Sequence, residues 1–306
     1  MSRICVIGPV DHGKSTLLGH MLYLSNNSDE LSRSLNKIIA ECPPKMMSWK
    51  YARLLDICEE ERERGKTHEF TEVKMTCNNK EYTFIDTPGH EIFVRSMLEG
   101  LLMGKMTCDV ACYVIDVTNF DSAFDRGNVK EQLTLTRATG ITNLIVLFNR
   151  MDVVEWNEKV VEDIKAKLSP FLKKLSWVNI VYHSISALYG KRIVPDIFQI
   201  IDNLKVVPQQ DSVSIISSAT SIFKCKLKVL NVAEGQLFTA GFICMMHSKN
   251  GETEVEIAHI PGKIKFLKPG DASLVLIRID NCKELLGGKI ILRKDNYTIG
   301  FGMLTE

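Results

Sequence analysis

The sequence predicts an α/β domain with a mostly parallel sheet, followed by one small antiparallel β-barrel. In the first two thirds, apolar runs of strand length alternate with amphipathic helical stretches, which is typical of a parallel sheet with helices on both faces. After residue 217 only short strand patterns remain, separated by turn dipeptides such as Asn250-Gly251 and Pro269-Gly270, and this favours a barrel. These observations divide the 306 residues into a first domain over 1–205, a linker over 206–217 and a barrel over 218–306.

The individual elements follow from the same patterns. The apolar runs predict six strands in the first domain, namely Ile4–Ile7, Glu69–Met75, Tyr82–Asp86, Val110–Val117, Leu144–Asn149 and Ile180–Ser184. The amphipathic stretches predict helices over Lys14–Leu24, Glu91–Gly104, Val129–Thr139, Asn157–Leu175 and Pro195–Leu204, with a further helical insertion before Glu69. The barrel strands are predicted within Phe223–Val229, Gly241–His247, Glu252–Ala258, Ala272–Ile279, Lys289–Arg293 and Thr298–Met303.

The composition narrows the class of partner. Lys and Arg (38 together) nearly balance Asp and Glu (37 together), so the chain as a whole does not attract polyanions and any RNA contact needs a local patch. The nine cysteines form no CxxC pair, which indicates reduced thiols, a cytoplasmic setting and no zinc site. No apolar run approaches the roughly 20 residues that a membrane helix needs. We therefore expect a soluble cytoplasmic protein, monomeric on its own, with neither membrane nor DNA as its partner.

A loop between the first predicted strand and the first predicted helix has the composition of a phosphate site. It reads GPVDHGKST from Gly8 to Thr16. Its glycines let successive N–H groups point at phosphate oxygens, and the helix N-terminus adds a favourable dipole. Lys14 supplies a cation to the β- and γ-phosphates, and the Ser15 hydroxyl is a ligand for Mg²⁺. The predicted nucleotide contacts in this loop are Val10, Asp11, His12, Gly13, Lys14, Ser15 and Thr16.

Two further segments select the base. NRMD, over Asn149–Asp152, ends the fifth predicted strand, where a purine should lie at the carboxyl edge of the sheet. Asp152 can accept hydrogen bonds from N1–H and the N2 amine of guanine, a donor pair that adenine lacks, and Asn149 can bind the other edge of the purine. SAL, over Ser186–Leu188, follows the sixth predicted strand, so that the Ala187 N–H can donate to guanine O6. The predicted ligands are therefore GTP and GDP.

A third set of residues predicts hydrolysis. DTPGH, from Asp86 to His90, ends the third predicted strand. Asp86 suits a contact to Mg²⁺ through water, the Gly89 N–H can sense the γ-phosphate, and His90 is placed to orient the attacking water. Thr67 is expected to close over the γ-phosphate and to bind Mg²⁺ in the GTP state alone. The segments around Thr67 and His90 are thus expected to order with GTP and to relax after hydrolysis.

Together these motifs resemble the translational GTPases related to elongation factor Tu and its eukaryotic counterpart. VDHGKST, RGKT, DTPGH, NRMD and SAL occur in the family's order and spacing, and the resemblance covers Ser2 to about Leu204. RGKT (Arg64–Thr67) and SPFLKKL (Ser169–Leu175) look most like the GTPase partner of the eukaryotic stop-codon release factor. Where the family usually has a Lys packed along the base, this chain has Arg150, which can also stack on a purine.

The resemblance also implies a function and its partners. Relatives carry two barrels, and the segments CMMHSK, FLKPGDASLVL and LRKDNYTIGFGML are similar to the last one, so the middle barrel is expected to be missing. The last barrel is where release-factor and rescue GTPases hold a tRNA-shaped protein. The implied function is ribosome-stimulated GTP hydrolysis that delivers a tRNA-mimicking release factor to the ribosome in translation termination. The alternatives are a ribosome-rescue GTPase with a Pelota-type partner, and a GTP-gated adaptor with negligible turnover.

One smaller feature of the barrel has two interpretations. Lys224, Lys226 and Lys228 alternate with apolar residues along one predicted strand and should point outward. They could contact RNA, but a solvated strand face is the more common origin of such a stripe, and lysines there also discourage edge pairing.

Overall fold

The computed structural model describes residues 2–25, 29–41, 50–55, 71–86, 108–125, 128–204, 215–217, 222–230, 232, 236–248, 251–262, 265–280, 284–286, 288–295 and 297–305. These residues fall into two compact units. The described residues of the first lie within 2–86, 108–130 and 142–204, and those of the second lie within 131–141 and 215–305.

The first unit is built on a six-stranded sheet. Its strands are β1 (Ser2–Ile7), β2 (Thr71–Cys77), β3 (Lys80–Asp86), β4 (Val110–Asp116), β5 (Asn143–Asn149) and β6 (Asn179–Ser184), arranged in the order β2-β3-β1-β4-β5-β6. All neighbours are parallel except β2 and β3, which form an antiparallel hairpin. Asn78 and Asn79 at its tip both have positive φ, as a two-residue hairpin turn requires. The central strands β4 and β5 are buried at every residue, as expected for a sheet covered on both faces.

Helices cover the two faces of this sheet. Among the described residues, the helices are α1 (Lys14–Ser25), α2 (Asp29–Glu41), α3 (Phe120–Asp125), α4 (Asn128–Ala138), α5 (Glu158–Leu175) and α6 (Asp196–Asn203), and residues 50–55 are also helical. Residues of α1 and α6 share one apolar core with Leu147 of β5. The next residue, Phe148, points to the opposite face and stacks on Tyr182, whose hydroxyl lies 3.4 Å from Ser169 Oγ of α5. The predicted α/β architecture is therefore confirmed.

The second unit contains a closed antiparallel barrel. Strands β8 (Ile222–Val229), β10 (Ile243–Ser248), β11 (Gly251–His259), β13 (Ala272–Arg278), β15 (Gly288–Lys294) and β16 (Tyr297–Thr305) pair in the order β10-β11-β13-β8-β16-β15, and β15 pairs back with β10. Along β8 Phe223, Cys225, Leu227 and Val229 are buried, whereas Lys224 and Lys226 are exposed, as the alternation predicts. Short strands form two further pairs, β9 (Phe238–Thr239) with β12 (Phe266–Leu267) and β7 (Ile215–Ser217) with β14 (Glu284–Leu286).

The six predicted barrel strands are confirmed, and so are the predicted helices that fall on described residues. Helix α3 and the four short strands are not predicted, because segments of two to six residues carry too little periodicity. The predicted helix over Glu91–Gly104 lies outside the described residues. Within the part of the chain that is described, no helix is long and apolar enough to cross a membrane.

Candidate nucleotide-binding site

The loop between β1 and α1 is fitted closely against the end of β5. Gly13 has φ +91°, and a Cβ at this position would lie 2.4 Å from Asn149 Nδ2, so a larger residue could not be accommodated. The Gly13 carbonyl accepts the Leu17 N–H at 2.9 Å, which starts the hydrogen bonding of α1. The loop therefore leads directly into the helix N-terminus, where backbone N–H groups and the helix dipole favour an anion.

Lys14 extends over this loop rather than into solvent. Its Nζ donates to the carbonyl oxygens of Gly8 and Pro9, both at 2.8 Å. Burial lowers the pKa of Lys14, and the nearby carboxylates of Asp86 and Asp11 act in the opposite direction. An ammonium held by two carbonyl groups at a helix N-terminus is well placed to exchange those carbonyls for phosphate oxygens.

Two predicted metal ligands lie side by side. The Ser15 hydroxyl, in the first turn of α1, donates to Asp86 Oδ2 at the end of β3 over 3.1 Å. A hydroxyl and a carboxylate supply the oxygen ligands that Mg²⁺ prefers, and Mg²⁺ commonly completes its shell with nucleotide phosphates and water. The donor set therefore fits the predicted cation. Thr67, Gly89 and His90 lie outside the described residues.

Asn149 joins the phosphate loop (Gly8–Thr16) to the base loop, the turn Ser186–Lys191 that contains the SAL segment. Its side chain is 3 % exposed, its Nδ2 donates to the His12 carbonyl at 2.9 Å, and its Oδ1 accepts the Ala187 N–H at 2.9 Å. The sequence assigned Asn149 to the purine and the Ala187 N–H to guanine O6. In the structure the two groups bind each other, so a guanine base must share or replace this hydrogen bond. Asn149 thereby acquires a positioning role that the sequence did not indicate.

Arg150 reinforces the same connection. Its φ is +63°, its Nη1 lies 2.9 Å from Asp116 Oδ2, and its Nη2 donates to the Asp11 carbonyl at 3.2 Å. Asp116, the last residue of β4, also accepts from the backbone and the hydroxyl of Thr118. The sequence assigned Arg150 to the face of the base and did not single out Asp116. The signal available for Asp116 was a carboxylate that ends an otherwise apolar strand.

His12 supports the loop from inside. The residue is 1 % exposed, and its Nδ1 accepts the Asp116 N–H at 3.1 Å. Burial, the largest influence, lowers the pKa of His12 to about 4. The imidazole is therefore neutral near pH 7, with its proton on Nε2. Because the His12 ring is directed at β4, the predicted contact of His12 with the nucleotide must be made by its backbone.

The base loop is held as a compact turn beside the NRMD segment. Ser186 and Lys191 exchange two backbone hydrogen bonds at 3.1 Å, and the Met151 N–H donates to the Ile185 carbonyl at 3.2 Å. The remaining predicted contacts are accessible to a ligand. Val10 is exposed, and Thr16, Asp152 and Leu188 are half-buried. The structure thus brings the phosphate loop and both base segments to one edge of the sheet.

Comparison with known proteins agrees with this geometry. A family model described as the elongation factor Tu GTP-binding domain matches residues 1–267. The chain belongs to this family of translational GTPases. Elongation factor 1-alpha of Pyrobaculum arsenaticum is 31% identical over 318 residues, covering 96% of this chain and 70% of the relative. The same factor from Ignicoccus hospitalis is 32% identical over 302 residues, covering 88% and 65%.

Solved structures extend the likeness in fold to nearly the whole chain. The GTPase-like domain of S. cerevisiae Ski7, bound to GTP, matches with a TM-score of 0.71 at 16% identity and covers 99% of this chain and 97% of that chain. The same domain bound to GDP and inorganic phosphate matches with a TM-score of 0.73. At this identity the likeness concerns the fold alone.

Asn149→Ala should weaken GDP binding about 100-fold, or about 2.7 kcal/mol. The substitution removes two hydrogen bonds and leaves the buried Ala187 N–H without its acceptor. Isothermal titration with GDP would measure the change. Asn157→Ala is the matched control, because Asn157 only caps α5 and its loss should lower stability by about 1 kcal/mol with little effect on GDP. Equal GDP affinity in Asn149→Ala and wild type would contradict the positioning role.

Acid should destabilise the apo protein partly through His12. Because its folded pKa is lowered to about 4, the neutral form is favoured by folding, and this contribution is complete above pH 6.5 and lost as the pH falls toward 4. Between pH 7.5 and 5 the contribution should amount to about 2 kcal/mol of the free energy of unfolding.

Urea unfolding across this pH range would measure the contribution of His12. His12→Asn, whose Oδ1 can still accept the Asp116 N–H, should flatten the pH dependence by that amount. An unchanged slope in His12→Asn would show that the buried imidazole does not titrate as described.

Proposed function

We propose that this protein hydrolyses GTP in translation, carrying a tRNA-mimicking release factor to the ribosome and releasing it after hydrolysis. The observation that supports the proposal is the arrangement of residues at the carboxyl edge of the sheet, which we call the nucleotide edge. There Lys14, the Ser15–Asp86 pair and the hydrogen bonds of Asn149 lie together. Phosphoryl transfer depends mainly on positioning and charge neutralisation, and these groups supply both. The release-factor assignment rests on the RGKT and SPFLKKL segments together with the C-terminal barrel.

Each group has a defined task in this proposal. Lys14 leaves the loop carbonyls for the β- and γ-phosphates. Ser15 and Asp86 would hold Mg²⁺, which would supply neutralisation of the charge on the phosphate oxygens. Asn149 keeps the base loop at a fixed distance from the phosphate loop. His90 orients the attacking water, and Thr67 closes over the γ-phosphate.

A cavity in the second unit supports a protein partner. It has a volume of about 570 Å³ and lies against the outer faces of β8, β13 and β16 and residues 137–140. Its lining combines apolar side chains with four cationic ones. The apolar side chains include Leu274, Phe301 and Met303, and the cationic side chains are Arg137, Lys226, Lys228 and Lys289. No carboxylate is found among the described residues that line it. Such a site fits an apolar side chain flanked by acidic residues, which favours an acidic protein segment over RNA.

The partner should be identified by affinity purification of tagged protein loaded with a non-hydrolysable GTP analogue, followed by mass spectrometry. We expect to recover the stop-codon release factor. Lys226→Glu should reduce its recovery at least tenfold, because it reverses a charge at the cavity, whereas Lys265→Glu, an exposed barrel residue away from the cavity, should not. Recovery of a Pelota-type protein instead would reassign the function to ribosome rescue.

Turnover should be measured as phosphate release with and without ribosomes. We expect wild-type hydrolysis to be slow alone and stimulated by ribosomes, because intrinsic rates in this chemistry are low. His90→Ala should abolish the stimulation while GDP binding persists. Absence of stimulation in the wild-type protein, with partner binding intact, would replace the carrier by a GTP-gated adaptor.

A further inference from the structure

A buried histidine outside the motifs contacts the base loop directly. His20 lies on α1, is 5 % exposed, and places Nδ1 2.6 Å from the carbonyl oxygen of Ala187. Since a carbonyl only accepts, Nδ1 carries the proton and donates. The N–H of Ala187 is bound by Asn149, so the N–H and the C=O of this residue are both fixed by buried side chains.

The other side of the His20 ring is covered by the helical segment 50–55. The rings of His20 and Tyr51 stack with centroids 3.7 Å apart and planes at 12°. The segment approaches α1 so closely that a Cβ on Gly19 would lie 1.9 Å from the Tyr51 carbonyl oxygen. The loop approaches as closely from its side, because a Cβ on Gly190 would lie 2.8 Å from His20 Cε1. The imidazole therefore fills the space between the loop and the segment.

The surroundings keep this ring neutral and in one orientation. Burial lowers the pKa of His20 and outweighs the opposite effect of the hydrogen bond to the Ala187 carbonyl, and the Lys50 ammonium, 4.7 Å from the centre of the Tyr51 ring, also lowers this pKa. Tyr51 also packs in a small apolar cluster with Leu35 and Leu54, which fixes the ring that stacks on His20. A movement of the segment 50–55 must therefore be accompanied by a movement of His20 or by loss of the stacking.

We propose that His20 is a positioning residue that holds the base loop in its guanine-binding conformation and couples this loop to the segment 50–55. The position of the segment 50–55 and the hold on the base are then linked through two stacked rings, and linkage of this kind is reciprocal. The inference rests on the proposed nucleotide-binding function.

Two substitutions of His20 separate its hydrogen bond from its stacking. His20→Phe keeps an aromatic ring against Tyr51 but removes the donor to Ala187. It should weaken GDP binding about tenfold. Because the lost hydrogen bond supports recognition of the guanine base, ADP binding should not change, and the dissociation constant of ADP divided by that of GDP should fall by a similar factor. His20→Asn places an amide donor near the position of Nδ1 but lacks the ring that stacks on Tyr51, so it should weaken GDP binding only about fivefold and keep the nucleotide ratio closer to wild type than His20→Phe does.

The coupling is tested by a double-mutant cycle on GDP affinity. Tyr51 lies far in sequence from the predicted nucleotide contacts. Tyr51→Leu should weaken GDP binding about fivefold when it is made in the wild-type protein. It should have no further effect when it is made in His20→Asn, because that variant lacks the stacked ring. Tyr23→Leu is the control, because Tyr23 lies in the same cluster with its ring centroid 6.5 Å from His20 and is not stacked on it.

The outcomes distinguish this inference from the proposed function. Thermal unfolding establishes whether each variant is folded. If His20→Phe does not fold, the effect of Tyr51→Leu on GDP affinity in the wild-type and His20→Asn backgrounds still tests the role of His20. Wild-type protein that binds no guanine nucleotide would overturn the proposed function. Guanine binding that is unchanged in His20→Phe, an unchanged nucleotide ratio, or an equal effect of Tyr51→Leu in both backgrounds would overturn the role of His20 alone.

Discussion

The nucleotide edge depends on one buried amide. Asn149 ends a fully buried strand and carries both an NH₂ donor group and a carbonyl acceptor, and its NH₂ donates to the phosphate loop while its oxygen accepts from the base loop. An aspartate could accept but not donate, and a leucine could do neither, so only an amide of this length satisfies both backbone groups. Because both bonds are buried, each is costly to break, and the two loops keep a fixed separation.

A charged network stabilises that arrangement from the neighbouring strand. Asp116 at the end of β4 receives Arg150, and its backbone N–H binds His12, so the phosphate loop is fastened to β4 as well as to β5. Arg150 is about half exposed, which limits the electrostatic contribution of its pair through solvent screening. The guanidinium also binds the Asp11 carbonyl, so Arg150 joins the phosphate loop to Asp116 at the end of β4.

The sequence was most informative where the signal is local. The buried strands and the barrel followed from periodicity, and the phosphate loop followed from a glycine pattern between a strand and a helix. The roles of Asp116 and His20 could not be predicted in this way, because each depends on a contact across more than one hundred residues, from His12 to Asp116 and from His20 to Ala187. Neither residue belongs to a sequence motif whose spacing predicts its partner.

The contacts of His20 and Asn149 with Ala187 explain how a site with separate phosphate and base segments can act as one unit. Asn149 fixes the N–H of Ala187 relative to the phosphate loop, and His20 fixes its C=O relative to the segment 50–55. An aromatic pair contributes about 0.5–1.5 kcal/mol, so the coupling through Tyr51 can change base affinity by at most about tenfold. A link of that size lets the position of the segment 50–55 adjust nucleotide affinity without abolishing it.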